Sequence, residues 1–273
     1  MLLQRVLTAI PLAIGIIWII LFQPSHVFFW LTMLISALAA YEWAKLAGLA
    51  TAGRIVYLLI VCAIPWLVTR HAAQFEHLLI YAAVLWWFGV VLYLFKKKPG
   101  PPSAAVSPLK LLAGMLVIPA AMLAMNAVHS RYGGPEWLLY GLMLVWVADT
   151  GAYFGGKRFG RRKLAPAISP GKTREGLYGA IVTVAAYSLV AAYYFGLDIV
   201  ATLYLLLLAL VLTLVSVAGD LYESVLKRER GVKDSGAILP GHGGILDRID
   251  SVLAAMPVFM AGLALVLQPG PGA

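Results

Sequence analysis

The chain alternates long apolar runs with short polar clusters. Nine apolar segments can be marked, at 6–22, 27–47, 55–69, 78–95, 109–128, 137–155, 176–196, 199–218 and 251–267. Each is near the ~20 residues a helix needs to cross the hydrocarbon core of a bilayer, the third being short. Lipid offers the backbone no hydrogen-bond partners, so only helices or closed barrels can span it. Barrel strands are shorter and alternate in polarity, so these runs predict helices. The expected fold is an all-α, polytopic integral membrane protein of about nine transmembrane helices.

The basic residues orient that bundle. With the N-terminus in the cytoplasm, nineteen of the 21 lysines and arginines fall on the inner side, and only Arg70 and Arg131 fall outside. That split is a strong positive-inside signal and supports the span count. It turns the polar segments toward the cytoplasm, and the expected location is the cell's inner (plasma) membrane, as a multi-pass protein. Composition agrees, since 62% of the 273 residues are hydrophobic and 12% charged. The net charge of +9 does not point to nucleic acid, because the cations sit between spans and form no basic face. Cys62, the one cysteine, lies inside an apolar run and reads as a packing residue. No small-residue cleavage site follows the first run, so it is read as a retained helix.

The proline- and lysine-rich stretch 96–107, KKKPGPPSAAVS, is the one linker-like segment. It divides the chain into an N-terminal four-helix region, 1–98, and a C-terminal five-helix catalytic region, 108–273. Three polar constellations follow, all in the second region. Asp149 and Tyr153 share a helix face at the end of the sixth run, just ahead of Gly155, Gly156, Lys157 and Arg158. A carboxylate there is costly unless it faces a cavity or a cation. Residues 169–176, SPGKTREG, resemble a Walker A loop only in part: the earlier glycine would fall at Pro166, and no buried strand precedes it. What remains is a flexible turn with exposed amides and the side chains of Ser169, Lys172 and Arg174 at a helix N-terminus, which suits phosphate.

The third constellation, 219–250, is the most informative. If the eighth helix continues past the membrane face, Asp220, Glu223, Ser224 and Lys227 share one side of it. Asp247 and Asp250, three apart, share a face at the start of the ninth. Two carboxylate groups on adjacent helices, surrounded by lysines and arginines, suit Mg²⁺ and a polyphosphate. His242, a lone histidine in a turn, is more often structural, yet it joins the substrate-binding candidates.

This segment closely resembles the signature of the phosphatidate cytidylyltransferases, also called CDP-diacylglycerol synthases. It carries Ser224, Lys227-Arg228, Lys233-Asp234, Pro240, His242-Gly243-Gly244, Asp247-Arg248 and Asp250 in the spacing of that signature. The upstream segments at 149–155 and 169–176 also look like the family's, and the resemblance covers roughly 110–267. It implies transfer of CMP from CTP to phosphatidic acid, giving CDP-diacylglycerol and pyrophosphate. It further implies an all-helical membrane enzyme that works as a homodimer in phospholipid biosynthesis. Mg²⁺ is the implied cofactor, with a monovalent cation as a second candidate. On that resemblance, Asp220 and Asp247 are the first-choice metal ligands, and Glu223 and Asp250 the second. Lys227, Arg228, Lys233 and Arg248 would hold CTP or the leaving pyrophosphate, and Ser224 joins the substrate-binding set. Ser169, Lys172 and Arg174 would bind a phosphate, supported by Asp149. Asp220, Asp247, Lys227 and Arg248 form the expected catalytic group.

Three rivals are distinguishable. A CDP-alcohol phosphotransferase would show a different aspartate signature. A CTP-dependent polyprenol kinase would give a different product. A transporter would line a path across the bilayer with acids, whereas these polar groups gather at one set of helix ends.

Overall fold

The computed structural model describes residues 2–94, 100–238 and 243–267, with the backbone alone for residues 2–10 and Leu12. His242 and Pro240 of the signature, and Lys96, Lys97 and Lys98 of the linker, lie outside the described residues. Among those described, nine α-helices follow one another: α1 (Leu2–Phe22), α2 (Ser25–Leu46), α3 (Thr51–His71), α4 (Glu76–Leu94), α5 (Pro108–Ser130), α6 (Pro135–Phe159), α7 (Arg174–Tyr194), α8 (Ile199–Glu229) and α9 (Leu246–Ala264). Each coincides with one apolar run to within a few residues, except that α8 continues well past its run.

Seven of these helices, α2 to α8, are long and apolar enough to cross a membrane. The protein is therefore an all-α, multi-pass membrane protein. Helix α1 runs over 21 residues, of which Ala13–Phe22 is the apolar stretch with continuously described side chains. Helix α9 carries Asp247, Arg248 and Asp250 in its first turns, which shortens its apolar length.

Helix α9 is the centre of the bundle. Residues 251–260 are all buried, and the helix packs against α4, α5, α6 and α8 as well as the end of α2. Large apolar side chains instead face outward from the peripheral helices, among them Leu59, Leu85, Leu92, Val182 and Val190. In water such a surface would aggregate; in lipid it is the solvated face.

The first four helices are continuous with the rest. Trp43 Nε1 donates to Lys110 O at 2.7 Å, and the Tyr57 hydroxyl donates to Leu111 O at 2.7 Å, tying the start of α5 to α2 and α3. The described part of the linker runs along the end of α8: Ser103 N donates to Glu229 O at 2.9 Å, and Lys110 pairs with Glu229 at 3.1 Å.

Helices α6 and α7 approach closely through glycines, which lets two backbones meet where lipid supplies no hydrophobic drive. A Cβ on Gly151 would stand 2.0 Å from Thr183 Oγ1 and 2.9 Å from Gly179 O. Between these helices the flexible turn expected at 169–176 is replaced by a small antiparallel hairpin, β1 (Lys163–Ala165) with β2 (Ser169–Thr173). Strand pairing satisfies backbone groups that an open turn would leave to water. The Thr173 side chain then caps α7 by accepting from Gly176 N at 3.1 Å.

Candidate active site

Helix α8 has 31 residues, or ~46 Å at 1.5 Å per residue, against a ~30 Å hydrocarbon core. Its last turns therefore extend beyond its apolar stretch, and they carry Asp220, Glu223, Ser224, Lys227 and Arg228. At the base of this extension α8 nearly touches α9. A Cβ on Gly219 would stand 2.6 Å from Asp250 O and 2.8 Å from Ala254 Cβ. That contact sets the acids of α8 beside the first turn of α9.

Lys227 joins the two helices. Its Nζ lies 2.6 Å from Glu223 Oε2 and 2.7 Å from Asp247 Oδ1. All three side chains are well withdrawn from solvent, Glu223 being 2% exposed. The pairing with Glu223 follows from the i, i+4 spacing; the pairing with Asp247 depends on helix packing. Asp247 is held further by its other oxygen, Oδ2, which accepts from Ser235 N at 3.0 Å, Ser235 Oγ at 2.9 Å and Gly244 N at 2.9 Å. Burial pushes the Asp247 carboxyl up, but hydrogen bonds from Lys227 and from these amides outweigh it and hold the group below its ordinary range.

A second ion pair brings in the hairpin. Lys172 on β2 reaches Asp220 Oδ2 at 2.7 Å, while Ser224 Oγ lies 3.4 Å from Asp220 Oδ1. Asp149 on α6 is within electrostatic reach of both Lys172 and Asp220. Asp250 stands next to Glu223 and within reach of Asp220, so it links the two pairs. The structure thus gathers Asp149, Lys172, Asp220, Glu223, Ser224, Lys227, Asp247 and Asp250 at one end of the bundle, from α6, β2, α8 and α9.

Other sequence candidates stand at the margin. Arg174, Arg228, Lys233 and Arg248 are exposed, and Ser169 is half-buried at the start of β2.

No group of three or more histidine, cysteine or acidic side chains is already closed around a metal-sized space among the described residues. The donor set nevertheless suits a hard cation. Glu223 Oε1 is buried without a hydrogen-bond partner among the described residues, and the neighbouring group, Asp250, is another carboxyl. Such crowding of oxygen acceptors is the chemistry that Mg²⁺ satisfies. Asp247 is the most heavily engaged of the four acids, with Lys227 on one oxygen and three protein donors on the other.

Several residues that the sequence reading passed over help to build the site. Glu175 accepts from Arg161 N at 3.0 Å and Arg162 N at 3.1 Å, and pairs with Arg162 Nε at 3.1 Å, closing the turn between α6 and β1. Glu42 and Lys45 of α2 reach across to Ser235, and Glu42 also to Leu246. A carboxylate inside the second apolar run was the available signal for Glu42.

An all-helical membrane bundle with acids and lysines gathered at one end suits phosphate groups. Comparison with known proteins makes the class specific. Residues 3–266 match the model of the cytidylyltransferase family, and the chain belongs to that family. It is 38% identical to a phosphatidate cytidylyltransferase of Pseudomonas aeruginosa over 268 residues, 96% of each chain. Its identity to a phosphatidate cytidylyltransferase of Haemophilus influenzae is 37%, over 95% of this chain and 97% of the other. A third, from Bacillus subtilis, is 50% identical over 135 residues, about half of each chain.

Proposed function

We propose that this protein transfers the cytidylyl group of CTP to phosphatidate, forming CDP-diacylglycerol and pyrophosphate. The observation that carries this reading is similarity along nearly the whole chain to proteins named for that activity. The acid and lysine cluster at the ends of α8 and α9 supplies its chemistry. A lipid phosphate arrives at the interface and a nucleotide arrives from the aqueous side, where nineteen basic residues are read as gathering. That distribution supports a site turned toward the cytoplasm, and multi-pass residence in the inner membrane belongs to the same reading. A homodimer is part of the same reading.

In the reaction, a phosphatidate oxygen attacks the α-phosphorus of CTP. The new P–O bond forms as the bond from the α-phosphorus to the bridging oxygen breaks, and the electron pair leaves with pyrophosphate. The nucleophile is already anionic, so no strong general base is required. Orientation and neutralisation of charge carry the rate. Lys172 and Lys227 are the cations set deepest in the cluster and take the phosphates. Arg174, Arg228, Lys233 and Arg248 guide the triphosphate from the rim, with Ser169, Ser224 and His242 as further substrate contacts. Asp220, Glu223 and Asp250 would hold Mg²⁺, which supplies neutralising charge on the phosphates when bound. Asp247 acts chiefly by fixing Lys227. Asp149 supports Lys172 from α6.

The test uses the purified chain in detergent with CTP, phosphatidate and Mg²⁺, with the lipid phase analysed by mass. A CDP-diacylglycerol species dependent on all three is expected. A lipid that gains only one phosphate, or no nucleotide-bearing lipid at all, would remove the proposal.

A further inference from the structure

Glu42 lies one turn from the end of α2, in the N-terminal part of the chain, and is 2% exposed. A carboxylate at such depth is costly unless it is well hydrogen-bonded. Its partners stand far along the chain. Oε2 accepts from Leu246 N, the first amide of α9, at 2.8 Å, and lies 3.0 Å from Ser235 Oγ. One turn on, Lys45 Nζ donates to Ser235 O at 3.0 Å. The segment is shaped around this carboxylate. A Cβ on Gly236 would stand 2.0 Å from Glu42 Oε1, and one on Gly244 would stand 2.3 Å from Oε2.

Ser235 then passes the contact on. Its hydroxyl is 3.0 Å from Glu42 and 2.9 Å from Asp247 Oδ2, and its single proton serves one carboxylate at a time. Asp247 in turn pairs with Lys227 at 2.7 Å. A continuous path of polar contacts therefore runs from α2 through Ser235 and Asp247 to the lysine at the centre of the cluster.

We propose that Glu42 is a positioning residue for the reaction: by gripping Ser235 and the first amide of α9, it fixes Asp247 and through it Lys227. The proposal rests on the cytidylyl-transfer reading of this cluster. It gives the N-terminal helices a part in turnover that does not require contact with substrate.

The test compares Glu42→Leu, Glu42→Gln, Ser235→Ala, the Glu42→Leu/Ser235→Ala double variant and Lys227→Ala as full chains in detergent. Turnover is taken per folded molecule, judged by size-exclusion elution. Glu42→Leu and Ser235→Ala should each lower kcat by about 10- to 100-fold, the usual consequence of a small misplacement, with KM for phosphatidate within about twofold. Glutamine keeps an oxygen for Leu246 N and Ser235 and should recover most of kcat. The double variant should be no slower than the slower single one, because both act through one contact. A merely structural role would lower the yield of folded protein and leave kcat per folded molecule unchanged, and that result would overturn the proposal. If Glu42→Leu does not fold, wild-type kcat in Ser235→Ala overturns it equally. Wild-type turnover in Lys227→Ala would fell the reading of the site itself, whatever the Glu42 variants do.

Discussion

Replacing Lys227 by methionine is expected to lower turnover by about 10²–10³-fold, the typical cost of removing a preorganised electrostatic group at a reacting centre. Two effects act together. Glu223 Oε2 and Asp247 Oδ1 lose the ammonium that lies 2.6 and 2.7 Å away, and the transferring phosphate loses a positive charge. Breaking a buried pair by removing one partner destabilises by ~3–5 kcal/mol, because the remaining charge is left uncompensated. Here two carboxylates are left, so the variant should also melt at lower temperature in detergent. Kinetics measured well below that melting point separate the effects. A folded Lys227→Met protein with undiminished kcat would take Lys227 out of the chemistry.

Asp220→Asn is the second large effect. The substitution preserves shape but removes the charge that pairs with Lys172 at 2.7 Å. Asp220 is a third exposed in its side chain, so the fold should tolerate the change while turnover falls by about two to three orders of magnitude. The loss should appear in kcat more than in KM for phosphatidate, because the carboxylate acts where charge shifts during transfer. It is measured by initial rates at saturating lipid, beside a circular dichroism melt. A near-wild-type rate would leave Asp220 as a surface partner of Lys172 and nothing more.

The helices and the grouping of polar residues near their ends were legible in the sequence, for reasons that can be named. Lipid leaves the backbone few options, so each apolar run became a helix. Helix periodicity then fixed neighbours on one helix, such as Glu223 with Lys227 and Asp220 with Ser224. The charge density around α8 and α9 marked their ends as chemical. Contacts between elements were not legible, because they depend on how helices cross. That is why the engagement of Asp247 by Lys227, Ser235 and Gly244 was not foreseen. Glu42 was hidden for the same reason, since its partners stand 193 and 204 residues away in the chain. The 163–173 hairpin escaped because strands of three and five residues carry too little pattern to be seen.

The most direct measurement follows the two ends of the triphosphate in one reaction. CTP labelled at the α-phosphorus and CTP labelled at the γ-phosphorus are supplied separately to the purified chain with phosphatidate and Mg²⁺. Cytidylyl transfer predicts that the α label enters the lipid phase in step with loss of CTP, while the γ label leaves entirely as pyrophosphate. Gamma label in the lipid would mean phosphoryl transfer and would contradict the proposed chemistry. So would the absence of α label from the lipid.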